Sequence, residues 1–268
     1  MIISDHYKFS FIHIPKCAGS AIKVRIEGYD DLKGRFTKRV DSHPELGELD
    51  YGHMPLFILK DYFPDEFDRV RRYFSFAVLR EPHSRFLSGI SQRMKMYRNT
   101  YLHAASDMEI IDEIDFVVNA LKKRSGCLPP DLIHFQRQVD YILLDGERVL
   151  SKVYLSSEVD VLLSDLARRV GIDQFPDPEK NDTYAENKSF VFKNEAMRLA
   201  VEAVRPAALA MLSRMPESLK RSMRSALYTS PSARLKKISD KIDLHSFIED
   251  HYADDIAIIS EVKSGPVR

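Results

Sequence analysis

The feature that most constrains the fold is a strand, a short glycine-containing loop and a helix that follow one another near the start of the chain. Residues 8–14 are aromatic and β-branched and stop at Pro15, a pattern that predicts a buried strand. Beyond the loop, Ile22, Ile26 and Tyr29 recur at helical spacing, so a helix follows. A chain that opens in this way is typical of an α/β protein.

A second segment repeats this arrangement later in the chain. Residues 73–79 form a strongly apolar run that predicts another buried strand. Pro82 suits the first turn of a new helix, which we place from about His83 to Tyr97. Strands that alternate with helices indicate a three-layer α/β fold with a central parallel sheet flanked by helices. The sequence shows no internal repeat and no linker that would divide it, so we expect one domain over residues 1–268.

The remaining segments continue the alternation of helices and strands. Helices are predicted over 106–123, over the segment that stops at Gly171, from Asn194 with a break at Pro206, and over 244–262; a strand is predicted over 149–155 and an irregular loop over 173–193.

Composition and charge exclude several classes of protein. The 268 residues carry 40 Lys and Arg against 40 Asp and Glu, and this zero net charge argues against a nucleic-acid or membrane-surface partner. No apolar run reaches the roughly 18 residues of a spanning helix, and charges interrupt residues 1–16, unlike a signal peptide. Cys17 and Cys127 are too few for a disulfide framework or a four-cysteine zinc site. We therefore expect a soluble, cytoplasmic protein.

A local excess of positive charge lies between residues 214 and 237. It contains seven basic residues and one acid, Glu217. Either the segment holds an anion or it is a solvated basic helix and loop, and the sequence leaves both readings open. The basic residues are Arg214, Lys220, Arg221, Arg224, Arg234, Lys236 and Lys237.

The first loop has the chemistry of an anion site. A helix N-terminus offers unpaired backbone N–H groups and a partial positive charge, which together attract phosphate-like groups. Lys16 adds a full charge, Gly19 permits close approach of the backbone, and Ser20 adds a hydroxyl donor. The loop is not a Walker A motif, because its lysine precedes the glycine and no Gly-Lys-Ser/Thr is present.

Two motifs resemble those of sulfotransferases that use 3′-phosphoadenosine 5′-phosphosulfate (PAPS). Residues 11–20 (FIHIPKCAGS) resemble the family's 5′-phosphosulfate loop. Residues 76–88 resemble its 3′-phosphate motif, with Arg80 at the end of a strand and Ser88 eight residues later. The closest resemblance is to the carbohydrate sulfotransferases of the heparan-sulfate 2-O and chondroitin type. Three further segments match in order: 51–55 (YGHMP), which resembles the segment of the catalytic histidine, 134–138 (HFQRQ) and 252–255 (YADD).

The resemblance implies a role for each matching residue. Lys16 would contact the 5′-phosphate and the bridging oxygen as a catalytic and binding residue, while Arg80 and Ser88 would hold the 3′-phosphate. His53 would be the general base on the acceptor hydroxyl, with His13 or His83 next in line. The rest of the 5′-phosphosulfate loop would bind the donor through main-chain or hydroxyl donors: Cys17, Ala18, Gly19, Ser20 and Ala21.

The family also implies the fold and the reaction. The fold would be P-loop-like, with a single sulfotransferase domain that moves a sulfuryl group from PAPS to a hydroxyl acceptor, a carbohydrate or another alcohol, and releases 3′-phosphoadenosine 5′-phosphate (PAP). No metal is expected, because sulfate carries one charge fewer than a terminal phosphate. Variable loops at 30–50, 96–106 and 174–188 would form the acceptor pocket. Two alternatives stay open at this point: a P-loop nucleotide kinase and a non-catalytic nucleotide-binding module.

Overall fold

The structure is a computed structural model that describes residues 1–37, 40–176, 191–192, 228–229 and 231–264. The chain forms two compact units. The first comprises Met1–Gly89, Lys123–Glu179 and Ile248–Arg268, and the second comprises Ile90–Lys122 and Lys180–Phe247.

Helices and strands alternate along most of the described chain. The strands are β1 (Ile2–Ser4), β2 (Phe9–Phe11), β3 (Val40–His43), β4 (Gly47–Asp50), β5 (Phe74–Leu79), β6 (Leu143–Leu144), β7 (Glu147–Arg148), β8 (Lys152–Leu155), β9 (Val191–Phe192) and β10 (Tyr228–Thr229). The α-helices are α1 (Gly19–Ile26), α2 (Leu56–Tyr62), α3 (Pro64–Arg72), α4 (Pro82–Tyr97), α5 (Asp107–Lys122), α6 (Val159–Val170), α7 (Pro231–Ser239), α8 (Leu244–His251) and α9 (Ala253–Ser264).

The first unit contains a four-stranded sheet of mixed direction. Its strand order is β1-β2-β5-β8, and the pairs β2–β5 and β5–β8 are parallel, as the sequence predicts. The expectation of a wholly parallel sheet is wrong at the edge, where β1 pairs antiparallel with β2. Only residues 5–8 separate these two strands, and so short a connection permits a hairpin but no crossover helix. The protein is therefore mixed α/β, with a central, mostly parallel sheet flanked by helices.

An aromatic cluster fills the core around the sheet. The Phe76 ring lies 5.4 Å from that of Phe11 and 6.2 Å from that of Phe9, measured between centroids, and it meets Tyr154 edge-on. Helix α1 adds the fully buried Ile22 and Ile26 to this core. Burial of these large apolar surfaces fixes the two parallel strands and the helix that follows β2 as one packed block.

The helices confirm most of the periodicity predictions. Helices α4, α5 and α6 lie where the sequence places them, and Gly171 ends α6 in a left-handed conformation with φ of 78°. The single final helix predicted over 244–262 is wrong, because α8 and α9 are separated at Tyr252. The Tyr252 side chain is buried and its hydroxyl donates to the Phe135 carbonyl oxygen at 2.8 Å, which holds the chain at this break.

The second unit uses one buried arginine to hold its helices and loops. Arg234 of α7 donates to the carbonyl oxygens of Leu102 (2.6 Å) and Ala105 (2.8 Å) and pairs with Asp107 at 2.8 Å. Arg234, one of the seven basic residues predicted between 214 and 237, is therefore an internal structural residue. The other described members, Lys236 and Lys237, are exposed. Residues 214–227, the helix predicted from Asn194 and most of the predicted 173–193 loop lie outside the described residues.

Within the described part of the chain, no helix combines the length and apolar character that crossing a bilayer requires.

Candidate functional site

The two predicted anion loops lie at the same edge of the sheet. One follows β2 and the other follows β5, and these strands are parallel neighbours whose carboxyl ends meet at one edge. In open α/β sheets this edge is where ligands bind. The two loops are also joined directly, because the Arg80 guanidinium donates to the Lys16 carbonyl oxygen at 3.2 Å.

The backbone of the first loop is folded into an unusual conformation. Lys16 and Ala18 both have positive φ, 65° and 62°, which costs energy for residues with a side chain. Ala18 occupies the N-cap of α1 and has no side-chain oxygen for the N–H groups of the first turn. Ala18 and Ser20 are both exposed. A left-handed residue next to a helix start forms a concave set of N–H groups, the arrangement that proteins use for anions.

Gly19 is required here by a neighbouring side chain. A Cβ atom at this position would lie 2.0 Å from Cδ2 and 2.1 Å from Nε2 of His13. The imidazole ring therefore packs directly on the glycine backbone. The sequence predicts glycine for close approach of a ligand, and the structure shows the His13 ring against this glycine.

Arg80 is held at the mouth of the second loop. Its Nε donates to Ser84 Oγ at 3.1 Å. The sequence motif assigns no role to Ser84, and the structure shows that it orients the Arg80 guanidinium. Ser88 is half-buried and lies one helical turn beyond Ser84 on α4. Glu81 does not pair with Arg80 but accepts the backbone N–H groups of His83 (2.8 Å) and Ser84 (2.7 Å), and so caps α4.

A buried glutamine connects the two loops. Gln138 Oε1 accepts from the Arg80 backbone N–H at 2.9 Å and from the Cys17 thiol at 3.2 Å, while Nε2 donates to the Arg80 carbonyl oxygen at 2.9 Å. Asp255 of α9 accepts in turn from the Gln138 backbone N–H at 2.9 Å and from Nε2 at 3.2 Å. The segments 134–138 and 252–255, whose motifs match only in order, thus meet behind the two loops.

Cys17 and Arg85 belong to this buried support. Burial raises the pKa of the Cys17 thiol to about 12, so the thiol stays protonated and donates its hydrogen bond. Arg85 is 1% exposed and donates to the carbonyl oxygens of His134 (3.1 Å) and Gln136 (2.6 Å). The Cys17 side chain is therefore structural and not a thiolate nucleophile, and Arg85 is a scaffold residue.

The candidate base lies beside the first loop with a defined tautomer. His53 is buried, and its Nδ1 lies 3.0 Å from the His13 carbonyl oxygen. Because a carbonyl oxygen only accepts, Nδ1 carries the hydrogen, and in a neutral ring Nε2 is then the unprotonated nitrogen. The turn that carries His53 is fixed by Asp50, which accepts from Gly52, and by the Tyr141 hydroxyl, which donates to the His53 carbonyl oxygen.

Three imidazole rings cluster at this point. The centroid of His53 lies 4.5 Å from that of His13 and 5.8 Å from that of His134. Burial, and then the neighbouring His53, lowers the pKa of His13 well below 6.5, so His13 remains neutral near pH 7. Among the residues that the structure describes, no group of three or more His, Cys, Asp or Glu side chains is arranged to hold a metal ion.

Comparison with known proteins identifies the family. The model of the family described as "Sulfotransferase family" matches residues 1–146, more than half of the chain. The chain belongs to the sulfotransferase family. Neither the curated proteins nor the solved structures give a significant match to it. The matched range of this sulfotransferase includes both anion loops, His53 and Gln138, whereas Asp255 lies beyond it.

We predict that neutral His13 makes the stability of this sulfotransferase depend on pH. The unfolded chain gains a proton at His13 as the pH falls below 6.5, whereas the folded chain does not. Stability is therefore fully present above 6.5 and decreases below it, by up to about 1.4 kcal/mol for this residue at pH 5.5. Urea unfolding at pH 7.5 and pH 5.5 measures the loss in the parent chain and in His13→Gln. An equal loss in both chains would contradict the prediction.

Proposed function

We propose that the protein transfers a sulfuryl group from PAPS to a hydroxyl acceptor and releases PAP. The observation that carries the proposal is the pair of loops at one sheet edge, with a cationic residue in each, Lys16 in the first and Arg80 in the second. A hydrogen bond from the Arg80 guanidinium to the Lys16 carbonyl oxygen, at 3.2 Å, joins the two loops. PAPS carries anionic groups at both ends of its ribose, and two neighbouring cationic loops suit such a molecule. Membership of the sulfotransferase family supports the reaction class.

The first loop suits the phosphosulfate end of the donor. We assign Lys16 to the 5′-phosphate and the bridging oxygen, where a positive charge stabilises the negative charge that develops on the leaving oxygen. Ser20, and the backbone around Ala18 and Gly19, add hydrogen-bond donors at the start of α1. Cys17 has a buried side chain, so its contribution would come from the backbone N–H alone. Ala21 lies in the first turn beside them.

The second loop suits the 3′-phosphate. The Arg80 guanidinium is oriented by Ser84 and by the Lys16 carbonyl oxygen, which leaves its remaining N–H groups for a phosphate. Ser88 lies one turn further along the same face of α4. A 3′-phosphate distinguishes PAPS and PAP from ADP and AMP, so this loop would determine nucleotide specificity.

His53 suits the role of general base. Its Nδ1–H is held by the His13 carbonyl oxygen, so Nε2 is the atom that would take the proton from the acceptor hydroxyl. An alcohol must lose its proton as it attacks sulfur, and a neutral imidazole accepts protons near pH 7. The buried turn around His53 keeps this ring beside the first loop, where the sulfuryl group would be held.

A cavity lies at the predicted acceptor segment over residues 30–50, which supplies part of its lining. It has a volume of about 560 Å³ and is lined by charged and aromatic side chains from the β3–β4 hairpin and from the segments before and after it in the chain. Such a mixture of ring faces and polar groups suits a hydroxyl-rich ring, which is consistent with a carbohydrate or another polar alcohol as acceptor. Its lining residues include Lys33, Arg35, Asp41, His43, Tyr51 and Tyr62.

The first test is nucleotide binding without an acceptor. We expect PAP, in the presence of EDTA, to raise the melting temperature more than equal concentrations of ADP or AMP, because ligand binding to the folded state stabilises it by mass action. Stabilisation by ATP with Mg²⁺ and not by PAP would instead favour a nucleotide kinase. Binding of PAP with no transfer to any acceptor would favour a non-catalytic nucleotide-binding module.

Arg80→Ala should selectively weaken PAP binding. The variant loses a charge-assisted contact to the 3′-phosphate, so we expect the Kd for PAP to rise by about 10- to 100-fold while the Kd for AMP, which lacks that group, changes little. Titration calorimetry measures both. Arg72→Ala removes the same charge from the exposed end of α3 and serves as the control. Equal loss of PAP and AMP affinity in Arg80→Ala would contradict the assignment.

His53→Ala should lower turnover and leave donor binding intact. Loss of a general base reduces kcat by roughly two to four orders of magnitude, whereas His53 makes no proposed contact with PAP. Transfer of label from donor to an acceptor found by screening cell extract measures kcat, with His6→Ala, an exposed histidine, as control. If kcat is unchanged in His53→Ala, the base lies elsewhere.

A further inference from the structure

The side-chain amide of Gln138 takes the place of a neighbouring strand at the end of β5. Strand β5 ends at Leu79, and the next residue, Arg80, has its backbone N–H and its carbonyl oxygen both bound by that amide at 2.9 Å. Paired contacts of this kind are those that a residue in an adjacent strand makes. The backbone position of Arg80, and not only its side chain, is therefore set by Gln138.

The same amide reaches the first loop. Its Oε1 accepts a hydrogen bond from the Cys17 thiol at 3.2 Å. Cys17 lies between Lys16 and Ala18, the two residues of this loop that have positive φ. Gln138 thus contacts residues of both loops at once, from behind and away from solvent, since it is 0% exposed. A buried amide with all of its bonds made is costly to move, because each broken bond would leave a polar group unsatisfied.

Asp255 fixes which way the amide faces. Its carboxylate accepts from Gln138 Nε2 and from the backbone N–H groups of Gln138 and Val139, the last at 2.9 Å. The NH₂ group must face the carboxylate and the Arg80 carbonyl oxygen, so Oε1 must face Cys17 and the Arg80 N–H. The amide therefore has a single orientation, in which it contacts both loops at once.

We propose that Gln138 is a positioning residue that sets the spacing between the two anion loops and so couples the binding of the donor's 5′ and 3′ ends. The inference rests on the proposed function. A nucleotide with phosphates at both ends gains affinity from both loops only if they are held at the matching distance. A nucleotide with one phosphate uses one loop and is insensitive to that distance.

The test compares PAP with its two halves. In Gln138→Ala we expect the Kd for PAP to rise by about 10- to 100-fold, the usual scale of coupling between two sites, while the Kd values for 5′-AMP and 3′-AMP change less than about threefold. Gln138→Met keeps the approximate size of the side chain and adds no charge beside the buried Asp255, so it should fold even where alanine does not. It should lose the same coupling, because the thioether has no NH₂ for the Arg80 carbonyl oxygen.

A matched glutamine in the same segment provides the control. Gln136 is also buried, and its side chain binds Leu128, Gly126 and Asp140 without reaching either loop. Gln136→Ala should lower the melting temperature and keep the advantage of PAP over the monophosphates.

The outcomes separate the two proposals. Failure of the parent chain to bind PAP overturns the proposed function. Binding of PAP by the parent, with unchanged PAP affinity in both Gln138 variants, overturns the positioning role alone. Equal loss of affinity for PAP and for both monophosphates also overturns it, because that result describes general loosening of the site.

Discussion

The parallel pairing of β2 with β5 is the constraint on which the site depends. Side-by-side parallel strands end at one edge, so the loops after Ile14 and after Leu79 are brought together although about 65 residues separate them. The aromatic packing of Phe76 against Phe9 and Phe11 holds this pair in register. Lys16 and Arg80 lie close because of the sheet, and their separate loops then need only local interactions to reach their final positions.

Much of this arrangement was predictable from local pattern. The strand and helix of each strand–loop–helix segment follow from hydrophobic period. The proposed anion site of the first loop rests on a lysine, a glycine and a serine at a helix start. The antiparallel β1 was not predicted, because its three residues, Ile2–Ser4, are too few to show a period. The break at Tyr252 was not predicted either, since it depends on a hydrogen bond to Phe135, which is far away in the sequence.

The support behind the site was the least predictable part. Gln138 and Asp255 are common polar residues, and nothing about their immediate neighbours indicates that they are buried or that they meet. Their contacts join segments more than a hundred residues apart, which no local pattern encodes. The one available signal was that their short motifs match the family in order. In the structure, Asp255 of α9 binds Gln138, and Gln138 binds both loops.

The contact between His13 and Gly19 restricts how this loop can change. Because the imidazole already fills the space beside the glycine, even a single added methyl group at position 19 requires a smaller side chain at position 13. Replacing His13 would in turn remove a ring that packs against His53. Substitutions in the first loop are thus tied to the histidine cluster, and any redesign of the nucleotide recognition proposed for this loop also changes the surroundings of His53, the proposed base.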